Sequence, residues 1–341
     1  MKLSDFDYCL PKELIAQEPL DQRDSSRLMV VERKNKAIRN QSFRDILEYL
    51  NPGDILALND TKVISARLLG VKKGTLGRVD VLLSNRISPK RFQALIQPGL
   101  KIGQEALFNH DFGTVSAVLS EKGILEFNQD ISLELLDKIG VMPLPPYIKR
   151  QPRSSDNLFY QTVYARNPGA IASPTAGRHF TPDLLREIEA KSVSIHYITL
   201  HVGTGTFKPV KCEEIENHQI DPEEFSIPKE TLNAVIKAKK EGRRIFSVGT
   251  TTTRALETIA NGLTSHKSQV TSQEGKTNLF ICPGYEFKTV DCLLTNFHLP
   301  KTTLFMLACA FAGRELIMRA YQEAIKQKYR FYSYGDAMLI V

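Results

Sequence analysis

The chain has 341 residues, 42% of them hydrophobic, which supplies side chains for one large or two ordinary cores and argues against a disordered polypeptide. Its five cysteines (Cys9, Cys212, Cys282, Cys292, Cys309) are odd in number, far apart and without a C-x-x-C, so neither a disulfide framework nor a zinc site is indicated. The formal charge is +7, and residues 67 to 101 alone hold eight Lys or Arg against one acid, Asp80. That window is either a polyanion-binding face with salt-sensitive affinity or a solvated strand edge guarded by lysine, and charge does not separate the two.

In chain order, Met1 to Asp7 lacks the apolar stretch of an export signal, and the longest apolar run, Leu304 to Gly313, is too short to cross a bilayer. A cytoplasmic chain with no membrane contact is the expectation. A helix at Phe43 to Leu50 and the strand Asp54 to Asn59 come first. From Ser65 to Val141 the texture changes to short alternating runs (78–83, 91–96, 114–119 and 123–127) separated by Gly74, Gly77, Pro98-Gly99, Gly103 and Gly113, the pattern of an all-β unit. After the Pro-rich run Pro143 to Pro146 comes a second basic patch, Lys149 to Arg153. Helices and strands then alternate: Pro182 to Ala190, Ile195 to His201, Lys229 to Lys240, Arg244 to Val248, Thr253 to Ile259, Val290 to Thr295, Thr303 to Gln327 and Tyr329 to Ile340. The expected fold class is therefore α/β with an inserted all-β unit. A discontinuous α/β main domain would span residues 1–64 and 148–341, and a small antiparallel β-barrel residues 65–147, with Asn59 to Ala66 and Met142 to Ile148 as the crossings.

Three strand ends run into polar corners that open helices: Ala172 to Thr181, Ser247 to Arg254 and Leu293 to Pro300. Helix N-termini present unpaired N–H groups and partial positive charge, so corners brought together would form a pocket for an anionic or highly polar ligand. Thr181 before Pro182 and Thr302 or Thr303 after Pro300 are placed as helix caps. The loop Thr199 to Phe207 adds Gly203 and Gly205, which let a ligand approach the backbone, but without the third glycine of a dinucleotide fingerprint; no P-loop occurs either.

Long motifs give these corners a family setting. Asn59 to Leu68, Leu144 to Ile148, Tyr160 to Ala165, Pro174 to Gly177, His179 to Thr181, Thr199 to Gly203, Gly205 to Phe207, Val248 to Thr251, Leu294 to Pro300 and Tyr332 to Met338 together resemble the S-adenosylmethionine:tRNA ribosyltransferase-isomerase family, with similarity from Leu14 to the last residues. The resemblance implies an enzyme of queuosine biosynthesis. It would transfer and isomerise the ribosyl group of S-adenosylmethionine onto 7-aminomethyl-7-deazaguanine in a tRNA anticodon loop, giving epoxyqueuosine-tRNA, adenine and methionine. It implies a discontinuous α/β domain with an inserted barrel; no spacing of acid, His and Cys suggests a metal, and a monomer is the expectation. The chain departs from the family pattern at Arg178, where an apolar residue is usual, at Asp221 and Pro222, which replace a His-Ser pair, and at Lys62 and Ser65, which replace Arg and Pro.

A sulfonium acidifies the C–H bonds beside it, so this reaction needs a base near the ribose C5′, a partner for departing adenine, and exclusion of water. Histidine suits such proton traffic because its ordinary pKa of about 6.5 lets both forms exist near neutrality. His179, His201 and His298 fall in the motif loops; each is either a proton carrier or a core histidine fixing its loop. Asp60 and Asp336 either face the sulfonium and ribose or cap turns. Asp336 is counted with the three histidines as a catalytic candidate. Candidate substrate-binding residues are Asn59, Asp60, Thr61, Arg67, Pro174, Thr175, Ala176, Gly177, Phe180, Gly203, Gly205, Thr206, Phe207, Gly249, Thr250, Thr251, Arg254, Asn296, Tyr334 and Gly335. Arg254 either meets a carboxylate or phosphate or pairs with Glu257 along its helix. Two rival readings are a tRNA-binding protein without catalysis and a dehydrogenase-like nucleotide enzyme, the latter opposed by the missing glycine fingerprint.

Overall fold

The computed structural model describes residues 1–111, 113–203, 205, 210–263 and 271–341. Its larger sheet has nine strands, in spatial order Gln273–Thr277, Glu223–Ile227, Ser194–Leu200, Ile55–Asn59, Ile245–Val248, Cys292–Asn296, Ala337–Ile340, Arg27–Glu32 and Ala37–Ser42. The central four, from Ser194–Leu200 to Cys292–Asn296, run parallel, and Ala337–Ile340 runs antiparallel to the last of them. Parallel strands are covered on both faces, which explains runs such as Ile55-Leu56-Ala57-Leu58 with no polar alternation. Ile55 and Ala57 join one core with Leu232, Val235, Leu256 and Phe305 from the helices on that side. Leu56 and Leu58 point the other way, against Phe180, Leu184, Ile188 and Phe43.

The smaller sheet runs through Gly140–Val141, Arg67–Lys72, Arg78–Arg86, Arg91–Gln97, Ile124–Phe127, Gly113–Glu121 and Glu105–His110, and closes into a barrel where Val71 pairs with Leu107. Its period-2 pattern buries Val79, Val81 and Leu83 inward and leaves Arg78 exposed. The expected α/β class with an antiparallel barrel holds, and all its strands lie within residues 67–141.

Local chemistry sets the element ends. Thr181 Oγ1 accepts from the Leu184 N–H at 3.1 Å and Thr302 Oγ1 from the Phe305 N–H at 3.3 Å, as capping threonines should. The single helix expected over Thr303 to Gln327 is instead two, Thr303–Ala312 and Arg314–Lys326, because Gly313 takes a φ of +86° and turns the chain. Phe43–Tyr49 is a 3₁₀ rather than an α-helix, and only Ala337–Ile340 of the last expected element is strand. The hairpin Arg27–Glu32/Ala37–Ser42 and the strands Glu223–Ile227 and Gln273–Thr277 were not expected; the last two extend one edge of the sheet beyond Ser194–Leu200.

Candidate active site

The four parallel strands end at one edge of the sheet, at Leu200, Asn59, Val248 and Asn296, and Ala337 begins there because it pairs with Asn296. The corners that follow these strands are therefore neighbours, and ligands of open α/β sheets bind outside such carboxyl ends. Between them lies a cavity of about 560 Å³ including its open mouth. Its walls are Ala172 to Ala176, Gly249 to Thr251, Thr295, Asn296 and His298, closed by the side chains of Tyr147, Tyr160, Val202, Leu304, Tyr332 and Ser333. The three polar corners recognised in the sequence thus converge on one space.

Thr250 and Thr251 begin the helix Thr250–Leu263 at the cavity wall. The next two threonines turn inward, with Thr252 Oγ1 donating to the Val248 carbonyl at 2.7 Å and Thr253 Oγ1 to that of Gly249 at 3.1 Å. The N-terminus of this helix, with the partial positive charge of such an end, therefore lies at the cavity wall. Pro174, Thr175 and Ala176 form the opposite wall. Gly177 behind them permits close packing: a Cβ there would lie 1.9 Å from the Tyr164 hydroxyl. Phe180 stands edge-on to Phe43 at 5.2 Å in the core and does not line the cavity.

The histidines separate. His298 lines the cavity, its Nε2 2.8 Å from Thr295 Oγ1. His179 sits behind the wall, stacked on Phe43 at 4.9 Å, with Nδ1 2.7 Å from Ser26 Oγ and Nε2 3.1 Å from Asn296 Nδ2. His201 points into a different groove beside Thr199, Glu224 and Lys276, its Nδ1 2.8 Å from Thr61 Oγ1, because strand alternation gives the cavity side to Val202. Burial pushes His179 and His298 down to about 3, with nearby Arg178 adding to the effect on His179. Burial also lowers His201. All three are consequently neutral at physiological pH, rather than poised between two forms.

The two aspartates hold loops. Asp60 accepts from Arg166 at 2.8 Å, Asn167 at 3.0 Å and Thr199 at 2.6 Å. Asp336 accepts the N–H groups of Arg27 at 3.0 Å and Arg330 at 2.8 Å and pairs with the Arg27 guanidinium at 3.3 Å. Neither lines the cavity. Asn59 ties two strand ends together, donating to the Leu200 carbonyl at 3.0 Å and to Thr251 Oγ1 at 3.2 Å. Thr61 serves His201. Tyr334 donates to Asp156 at 2.7 Å and lies under the Arg178 guanidinium at 4.4 Å; Gly335 packs against the Arg330 carbonyl. Arg178 is buried and donates to the carbonyls of Phe159 and Ser333.

Arg254 pairs with buried Glu223, not with Glu257, and donates to the Leu279 carbonyl at 2.9 Å. Glu257 is engaged by the N–H groups of Lys288, Thr289 and Val290, each at 2.9 Å. Arg254 and Gly205 border a second cavity that meets the first at Leu304, and the Gly203 N–H donates to Glu223 at 3.0 Å. Thr206 and Phe207 lie outside the described residues. Arg67 is in the barrel, bound to Asp80 at 2.5 Å. Among the described residues no three His, Cys, Asp or Glu gather as a metal site requires, and no helix is long and apolar enough to cross a membrane.

Of two further cavity-lining groups, Asn296 is a binding candidate already in the sequence and Ser173 is not. Among the described residues Ser173 Oγ is buried without a hydrogen-bond partner, and so is the Oδ1 of Asn296. Ser173 belongs to the first polar corner, so position was its available signal. The tyrosine walls came from Leu144 to Ile148 and Tyr160 to Ala165, segments whose motifs carry no chemistry of their own.

The family model described as "Queuosine biosynthesis protein" matches residues 3–340. A protein of Sulfurihydrogenibium sp. (strain YO3AOP1) is 51% identical, and one of Symbiobacterium thermophilum 49%, each over 100% of both chains and each named S-adenosylmethionine:tRNA ribosyltransferase-isomerase. The crystal structure of an S-adenosylmethionine tRNA ribosyltransferase from Thermotoga maritima, 40% identical, covers 99% of this chain and all of that one with a TM-score of 0.57. The chain belongs to the queuosine biosynthesis family whose relatives carry the name S-adenosylmethionine:tRNA ribosyltransferase-isomerase.

Proposed function

We propose that this chain transfers and isomerises the ribosyl group of S-adenosylmethionine onto 7-aminomethyl-7-deazaguanine in a tRNA anticodon, giving epoxyqueuosine-tRNA, adenine and methionine, and that the cavity at the carboxyl edge of the parallel strands holds the sulfonium substrate. It acts in the cytoplasm as a monomer without metal. The observation that carries this reading is the convergence of three polar corners, one of them a helix N-terminus, on one partly aromatic cavity.

The positive sulfur acidifies the hydrogens on C5′, so proton removal there begins the reaction, and methionine departs as a neutral thioether that needs no acid. Adenine departs with its electron pair and takes up a proton. His298 is the histidine in the cavity wall, and burial holds it in the neutral form that accepts a proton. Thr295 fixes the ring through Nε2. The tyrosine rings and Leu304 limit water around the sulfonium.

The anticodon arm is assigned to the barrel side. Arg91 pairs with Glu121 at 2.6 Å and Lys73 with Glu105 at 2.6 Å, whereas Arg78, Arg86, Lys90 and Lys101 have no acid partner among the described residues. Those four, with Lys72, whose ammonium meets only the Gly99 carbonyl, are the charges of the basic window available to phosphate. Free adenine is the decisive readout: release from S-adenosylmethionine with tRNA bearing the aminomethyl base, and little without it, is expected. No release with modified tRNA would favour a binding protein, and release without it a hydrolase.

A further inference from the structure

The Asn296 carboxamide is held in one orientation. Its Nδ2 donates to the backbone carbonyl of Asp336 at 3.2 Å and to His179 Nε2 at 3.1 Å. Turning the amide over would set Oδ1 against that carbonyl, so the assignment of oxygen and nitrogen is fixed by chemistry. With Nε2 accepting, the His179 proton sits on Nδ1 and is donated to Ser26 Oγ at 2.7 Å, and Ser26 donates onward to the Arg23 carbonyl at 3.4 Å. The result is a directional chain that ends in an acceptor: Asn296 lines the cavity, and its Oδ1, in a residue 1% exposed, is buried without a partner among the described residues. An unmatched acceptor at this depth costs stability unless a ligand or water supplies the hydrogen.

We infer that Asn296 is the adenine-reading residue of the sulfonium substrate, its Oδ1 accepting from the exocyclic amine of the purine, and that His179 and Ser26 are positioning residues that keep the amide from rotating. This rests on the reading that the cavity holds S-adenosylmethionine. A ribose hydroxyl both donates and accepts, so either face of a carboxamide would serve it. Pinning the oxygen outward excludes partners that only accept, such as a bare ring nitrogen, and suits a group that only donates, which an aromatic amine is. The walls beside Asn296 suit a flat base, with Tyr147, Tyr160 and Tyr332 close by and Ser173 Oγ unpartnered to meet a ring nitrogen. Depression of the His179 pKa agrees, since a protonated ring would lose the acceptor that Asn296 needs.

The test compares binding of S-adenosylmethionine with its inosine counterpart, in which the amine becomes an oxygen, by calorimetry on the full chain. The parent is expected to prefer the adenine form by about ten- to a hundredfold. Asn296→Ala should bring that preference to within about twofold, and His179→Leu should reduce it while the cavity stays intact. Ser26→Ala, a small change that preserves packing, should move it in the same direction and keeps the test available if His179→Leu fails to fold. An unchanged preference in Asn296→Ala, or a preference that tracks a ribose hydroxyl in deoxy analogues, overturns the inference. Thr250→Trp, which fills the cavity, tests the underlying reading separately: it should abolish binding of both compounds, and unaltered affinity there would remove the substrate from this cavity altogether.

Discussion

The carboxyl edge of the large sheet and the inserted barrel both stood out in the sequence, one for polar corners and one for charge, and folding treated them differently. At the sheet edge, chain direction decides position. Parallel strands put the segments after Leu200, Asn59, Val248 and Asn296 side by side, so polarity read locally became one shared cavity. In the barrel, strands that alternate in direction brought acids from outside the basic window against it: Glu105 reaches Lys73 and Glu121 reaches Arg91. Over residues 65–147 there are ten Lys or Arg and eight Asp or Glu, leaving +2 where the 67–101 window alone carried +7. Backbone polarity at a strand end survives folding, whereas a charge excess is rewritten by whatever pairs across the sheet.

The comparison breaks most sharply at His298. His298→Ala should lower adenine release by about 10²- to 10⁴-fold with S-adenosylmethionine affinity changed far less, measured by single-turnover kinetics and calorimetry. A loss confined to binding would move proton transfer elsewhere. The barrel side is sharpened by charge removal. Replacing Arg78, Arg86, Lys90 and Lys101 together should weaken tRNA binding and lower the log–log salt slope by up to roughly 0.7 to 0.9 per lost contact, whereas changing Lys73 and Arg91 should leave it near the parent value. Equal slopes in both variants would take the barrel out of RNA binding.

Smaller effects follow at the histidines off the cavity wall. His201→Gln should leave adenine release within about twofold and cost about 1 kcal/mol of stability through the lost Thr61 contact, read from urea unfolding. Stability should also depend on pH. His179 and His298 titrate near 3 in the fold against 6.5 ordinarily, so between those values the unfolded chain binds more protons and Tm should fall as pH is lowered from about 6.5. His179→Gln should flatten that decline.

The α/β alternation and the barrel texture were legible because hydrophobic period and turn residues are local signals, and the caps at Thr181 and Thr302 were legible for the same reason. What was not legible depended on partners distant in the chain. The directions of His201 and Val202 are set by strand register, and Asp336 is tied to Arg27 across 309 positions. For Arg254 the sequence offers Glu257, one helical turn away, or a carboxylate or phosphate from elsewhere, and only the fold shows that the strand Glu223–Ile227 delivers Glu223 to it. The glycine that splits the final helix passes for part of one helix because the apolar run Leu304 to Ala312 before it and Leu316-Ile317 after it keep a helical pattern going.

The most direct measurement is a crystal structure of the chain with S-adenosylmethionine. The nucleoside is expected between Pro174 to Ala176 and Thr250 to Thr251, with the ribose C5′ facing His298. A nucleoside seated instead in the groove of His201 and Glu224 would contradict the assignment of the carboxyl-edge cavity to the reaction.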